Sequence, residues 1–188
     1  MWRRSRTVLL AIGVLTLPGC ASAVQEWVKP GAGHVTRVAV LPLENQTSSL
    51  RAGQAVTDLV VSQMLATGAI AVMDPSEVAD LLRRENLDPA DAGRLPSAQR
   101  IGRLLQVSHV LQGAVTEYRY KPGLSETPAV GVTVRLVDVA TGEVVWTASH
   151  ARLGSSWLRE DGLARVAQRV THDMAAHLAT ALGDARAR

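Results

Sequence analysis

The chain has 188 residues, with 20 Lys and Arg against 17 Asp and Glu, a formal charge of +3 and an isoelectric point near 9.6. Arg3, Arg4 and Arg6 supply the whole excess. No acid precedes Glu26, and from Cys20 onward 17 bases face 17 acids, so a nucleic-acid partner, which would need a clustered basic stripe, is excluded. With 47% hydrophobic and 20% charged residues the chain is globular, not disordered. The 169 residues from Cys20 onward suit one domain. It contains no Phe, so Val, Leu, Ile and Ala must build the core.

Residues 1–19 have the three parts of a secretory leader: a basic start, an apolar run from Val8 to Leu17, and small residues ahead of the only cysteine, Cys20. The apolar run is about half of the ~20 residues a spanning helix needs, and Gly13 and Pro18 interrupt it. Leu17-Pro18-Gly19-Cys20 resembles the lipobox of bacterial lipoproteins, although Pro18 replaces the usual small or branched residue. That resemblance implies a mature chain starting at Cys20 and carrying diacylglycerol and an N-acyl chain, with no other cofactor. A lone cysteine in an exported chain has no disulfide partner, which fits. Ala21 in place of aspartate implies sorting to the outer membrane, on its inner leaflet facing the periplasm. Residues 20–35, with breakers Pro30, Gly31 and Gly33, read as the lipidated N-terminus and a tether, leaving 36–184 as the domain and 185–188 as a tail.

Thr36–Leu43 is dense in β-branched and apolar residues and reads as a buried strand. Glu44–Leu50 is a polar loop, in which Asn45-Gln46-Thr47 is a loop feature. Ala52–Thr67 carries Val56, Leu59, Val60 and Met64 at helical spacing and stops at Gly68. A second strand, Ala69–Met73, precedes Asp74-Pro75-Ser76-Glu77, a strong helix start: an acid at the cap, proline at the first helical position and an acid three residues on. This predicts a helix over Pro75–Glu85, and a short one follows over Ser97–Leu105. The period then changes to two. His109–Tyr120, Ala129–Val139 and Glu143–Ala151 are strands, the last two joined by a turn at Ala140-Thr141-Gly142. Asp161–Gly183 places Leu163, Val166, Val170, Met174, Leu178 and Leu182 on one helical face. The expected fold is α/β (α+β), a single mixed sheet flanked by helices in the order β-α-β-α-α-β-β-β-α, with a parallel opening unit and later antiparallel hairpins.

No catalytic constellation emerges. Gly31-Ala32-Gly33 precedes a strand instead of following one, so it is no phosphate cradle, and Gly154-Ser155-Ser156 lacks the pattern of a nucleophile elbow. His34, His109, His150, His172 and His177 are scattered, and a five-residue step on a helix turns His172 and His177 about 140° apart. Asp173 and His177, an i,i+4 pair, fit a solvated helix contact. With Cys20 lipidated no cysteine is left for zinc. A ligand-binding or hydrolytic rival would have to gather His109, His150 or His172 with a carboxylate in one pocket.

Val38-Ala39-Val40-Leu41-Pro42-Leu43-Glu44-Asn45-Gln46-Thr47 resembles the opening of the CsgG-like, LpoB-like and TolB N-terminal-like envelope proteins. Val107–Gly113 and Val132–Trp146 are similar to the strand and hairpin signatures of the same group. These motifs are structural and speak for fold more than function. A CsgG-type pore would need hairpins with strands of about 9–11 residues, and Lys121–Pro128 and Arg152–Glu160 are too short to supply them. The resemblance implies a non-enzymatic, membrane-anchored periplasmic lipoprotein that serves as an assembly or interaction subunit of an envelope machine. The alternatives are an accessory or ring-forming subunit of a CsgG-type secretion apparatus and an LpoB-like activator of peptidoglycan synthesis. Expected partners are the bilayer through Cys20, envelope or periplasmic proteins, and further copies of the chain. Tyr118, Tyr120, Trp157 and Leu158 are the candidate interaction residues, since aromatics are enriched at binding hot spots.

Overall fold

The computed structural model describes residues 22–30, 35–88, 95–123, 126–155 and 161–186. Among them are seven strands and four helices: β1 Ser22–Val28, β2 Arg37–Val40, β3 Glu44–Asn45, α1 Ala52–Thr67, β4 Ala71–Val72, α2 Pro75–Arg84, α3 Leu95–Leu104, β5 His109–Lys121, β6 Thr127–Asp138, β7 Val144–Leu153 and α4 Leu163–Arg186. The strands form one mixed sheet in the order β1-β7-β6-β5-β2-β4, with β3 also on β5. β2 lies parallel to both β4 and β5, while β5, β6, β7 and β1 run antiparallel in turn. The expected α+β class and the expected split between parallel and antiparallel pairing are both present.

Local chemistry accounts for the element boundaries. The Asp74 carboxylate accepts the Ser76 N–H at 2.8 Å, and Pro75 opens α2 where an N–H would have no helical partner. Gly68 ends α1 in the left-handed region at φ 63° and returns its N–H to the Leu65 carbonyl. At the β6–β7 turn Asp138 Oδ1 accepts the Thr141 N–H at 2.8 Å, and Gly142, at φ 77°, sends its N–H to the Asp138 carbonyl. Asn45 organises its own loop: its Oδ1 accepts from the Thr47 N–H and hydroxyl, and its Nδ2 donates to the Ser49 carbonyl.

Two apolar clusters fill the two faces of the sheet. α1 and α4 cover one face, where Val56, Val60, Val130, Val132, Leu136, Trp146, Val166, Val170, Met174 and Leu178 pack together. α2 and α3 cover the β2–β5 part of the other face over Ala39, Leu41, Val78, Leu82, Ile101, Val110 and Val139. Gly113 permits a close approach of β5 and β6: a Cβ there would stand 2.1 Å from the Thr133 carbonyl oxygen.

One expectation is corrected. Residues 20–35 read as a tether, yet Ser22–Val28 is an edge strand in register with β7, from Ser22 opposite Arg152 to Val28 opposite Trp146. All seven of its residues are exposed, so no buried apolar face marks it in the sequence. Its driving force is the row of backbone groups on β7 that would otherwise stand unpaired. A smaller difference is β3, two residues of the expected polar loop that pair with Ala114 and Val115.

Candidate functional site

The antiparallel half of the sheet ends in one place. Ser22 lies opposite Arg152, Arg152 opposite Val130, and Tyr118 opposite Val130 in turn, while Tyr120 faces Pro128. The start of β1, the ends of β5 and β7 and the start of β6 therefore share one end of the domain. Ser22 is two residues after Cys20. Tyr120 is 45% exposed and Leu153 38% exposed at this end. Tyr118 is half-buried against the α1–α4 core, and burial, followed by its neighbour Tyr120, raises its phenol above the ordinary value. Of the two candidate interaction residues among the described residues, Tyr120 is thus the accessible one and Tyr118 partly a core residue. Trp157, Leu158 and Cys20, with the rest of the lipobox, lie outside the described residues.

Charged groups at this end engage one another, with two cations sharing one carboxylate. Arg119 and Lys121 both reach Glu117 Oε1, at 3.0 and 3.3 Å, and Arg152 reaches Asp173 at 3.0 Å. Asp161, beside the start of α4, accepts the Ser155 N–H at 2.9 Å and Arg169 Nη2 at 2.5 Å. The Ser155 hydrogen bond, then Arg169, holds its carboxyl below the usual carboxylate range.

The histidines, scattered in sequence, are not scattered in space. His109 is buried, with Nδ1 at 3.0 Å from the Ser108 hydroxyl and Nε2, without a hydrogen bond, 3.6 Å from Asp138. Burial pushes its pKa down, and Asp138 opposes the shift. His172 bonds Gln63 and links α4 to α1. The expected Asp173–His177 contact is replaced: Asp173 turns to Arg152, and His177 turns to Glu26. Glu26 on β1 also meets His150 on β7, a grouping that sequence reasoning missed because β1 itself was missed.

Neither of two surface clefts holds these groups. One, of about 310 Å³, opens on the uncovered face of β5 and β6 along Glu44, Gln46, Thr116, Thr133, Arg135 and Thr147. Another, of about 620 Å³, lies between Pro42 and α2 along Ala79, Leu82, Arg83 and Leu87. Neither is lined by a histidine, so the geometry demanded of a hydrolytic rival is not met in them. Among the described residues no helix is long and apolar enough to cross a membrane.

These features define a small α+β domain whose first strand begins beside a candidate lipidation cysteine and whose polar groups are mostly engaged with one another. A family model for the peptidoglycan-synthase activator LpoB matches residues 20–151. The chain belongs to the LpoB family, which makes it a protein of the bacterial cell envelope. Among solved structures it is similar to the PelC dodecamer from Paraburkholderia phytofirmans, with 28% identity over 81% of this chain and 93% of that one at a TM-score of 0.60. It also shares its fold with lipoprotein GNA1162 from Neisseria meningitidis, with 20% identity over 76% and 99% at a TM-score of 0.58. No curated protein sequence matches the chain. The broader expected resemblance thus narrows to LpoB; neither the matching family model nor the two structures named is a CsgG or TolB protein.

Proposed function

We propose that the protein is a non-enzymatic, lipid-anchored subunit that assembles with copies of itself on the periplasmic face of the outer membrane as part of an envelope machine. The observation that carries this reading is the position of β1. Its first residue, Ser22, is two residues from Cys20 and already paired with β7. Two residues span at most about 7 Å, so acyl chains on Cys20 would hold the Tyr120 and Leu153 end of the sheet against the membrane. Several acyl chains on one residue give firm anchoring, at about 0.8 kcal/mol per buried methylene. Confinement to a surface raises local concentration and favours lateral assembly. The family match begins at residue 20, and the PelC relative is a dodecamer; both support the reading. An accessory role in a CsgG-type apparatus would be one form of it.

Intact-mass measurement of the membrane-extracted protein, followed by sedimentation of the same sample in mild detergent, tests it. A chain starting at Cys20 with acyl mass and sedimenting as an oligomer is the expected result. An unacylated N-terminus, or a monomer at every concentration, refutes it.

A second reading, activation of a peptidoglycan synthase, is favoured by the family match itself. It requires the domain to reach an enzyme in the periplasm, and the pairing of β1 shortens the available reach. Stimulation of a purified peptidoglycan synthase by the protein would establish it, and no change in glycan polymerisation or crosslinking would dismiss it.

A further inference from the structure

We infer that Glu26, His150 and His177 form a binding site for a borderline divalent transition metal, zinc foremost, which fastens β1 to β7 and α4. The three groups come from three elements and converge on one point. Glu26 Oε1 lies 2.6 Å from His150 Nε2 and 2.8 Å from His177 Nδ1. The two imidazoles stand edge to face with centroids 5.4 Å apart, and one ligand atom from each of the three residues lies within 4.8 Å of the others.

Register explains the convergence. Val24 is opposite His150 and Glu26 opposite Ala148, which sets Glu26 diagonally across from His150 on the face that α4 covers. His177 comes down from α4 onto the same carboxylate. His150 is almost wholly buried and forms a fixed floor, whereas the His177 side chain is 48% exposed and Glu26 23%. The site is therefore open on one side, where solvent can complete the coordination.

Donor chemistry selects the ion. Two imidazole nitrogens and one carboxylate oxygen suit zinc and its neighbours in the first transition row, while calcium and magnesium demand oxygen ligands throughout. Zinc bonds nitrogen and oxygen at about 2.0–2.2 Å. Tetrahedral ligands at that distance are separated by roughly 3.3 Å, so the present contacts need to open by less than about 1 Å. Each imidazole then ligates through the nitrogen that now faces Glu26, with its proton on the other ring nitrogen or released to water. The consequence is mechanical. β1 has no buried residue of its own, and a metal bridging it to β7 and α4 would convert an edge strand held by backbone bonds into a fixed part of the fold.

Untagged full-length protein, stripped with a chelator, is titrated with zinc alone by calorimetry and then with cobalt for its visible spectrum. The expected result is one saturable zinc per chain, a rise in Tm with zinc but not with millimolar calcium or magnesium, and a cobalt spectrum of low coordination number. Glu26→Gln and His177→Ala, both on accessible side chains, should each weaken zinc binding at least about tenfold, whereas His172→Ala should leave it unchanged. Absence of saturable zinc binding in the parent protein overturns the inference. So does equal binding by parent, Glu26→Gln and His177→Ala with circular dichroism unchanged, which would leave the three groups as a hydrogen-bonded clamp.

Discussion

Ser155 and Asp161 hold one another by two hydrogen bonds: the Ser155 N–H donates to Asp161 Oδ2 at 2.9 Å, and the Asp161 N–H donates to the Ser155 carbonyl at 3.1 Å. This reciprocal pair closes the ends of the segment whose sequence contains Trp157 and Leu158, and Arg169 ties it to α4. The Asp161 pKa is lowered in the folded state, so the unfolded chain binds the proton more readily. The contribution to stability is complete above the unfolded value of about 3.9 and is lost as pH falls through the lower folded value. Asp161→Asn should therefore lower Tm at neutral pH and flatten the acid limb of a Tm–pH curve between pH 2 and 5. An acid limb identical to that of the parent would show that other carboxylates carry it.

His109 works in a different pH range. Burial depresses its folded pKa, so its share of stability is present above the unfolded pKa of about 6.5 and is lost as pH falls through the folded value. Urea denaturation at pH 7.5 and pH 5 should give a smaller stability at pH 5. In His109→Asn the pH 7.5 stability should be lower, because a packed ring is lost, and the gap between the two pH values should shrink. An unchanged gap would remove His109 as its source.

Two glycines should respond to alanine in opposite directions. At Gly113 the new Cβ meets backbone, the Thr133 oxygen at 2.1 Å and Val134 Cα at 2.8 Å, and neither atom can turn aside. Gly113→Ala should cost about 1–3 kcal/mol as an overpacked contact. Gly183 lies inside α4 with nothing within 4 Å of its Cβ position, so Gly183→Ala should add roughly 0.5–1 kcal/mol through helix propensity. Urea midpoints for the two variants check both signs.

Surface aromatics separate assembly from stability. Trp27 on β1 is 49% exposed and Tyr120 is 45% exposed. Replacing either by serine should leave the unfolding free energy within about 0.5 kcal/mol, as expected for exposed positions. If the self-association proposed above uses these surfaces, Trp27→Ser or Tyr120→Ser should shift the detergent-extracted protein toward smaller species in sedimentation. Unchanged sedimentation of both variants would place the contact elsewhere.

Local information was legible wherever a boundary depends on a few neighbouring residues. The Gly68 end of α1, the Asp74-Pro75 start of α2 and the Thr141-Gly142 turn follow from positive φ, capping and proline geometry, and the structure contains each of them. The apolar stripe of α4 was equally plain, because Val166, Val170, Met174, Leu178 and Leu182 repeat at the helical period and are all buried. The candidate site was less so: Tyr118 and Tyr120 were equivalent candidates in the sequence, and which of them is exposed, like the place of Tyr120 at the sheet end that Ser22 shares, depends on four strands in register.

By itself the sequence determined the charge balance, the motif around Cys20, the α+β class and nearly every helix, since each depends on composition or on contacts within a few residues. Only the tertiary structure decided that Ser22–Val28 is a strand and that Glu26, His150 and His177 meet. The physical reason is common to both. An edge strand exposed on both faces has no buried periodicity, and its pairing is a property of the backbone of β7, more than a hundred residues away. Once that pairing brought Glu26 beside β7, the packing of α4 on the sheet brought His177 onto the same carboxylate.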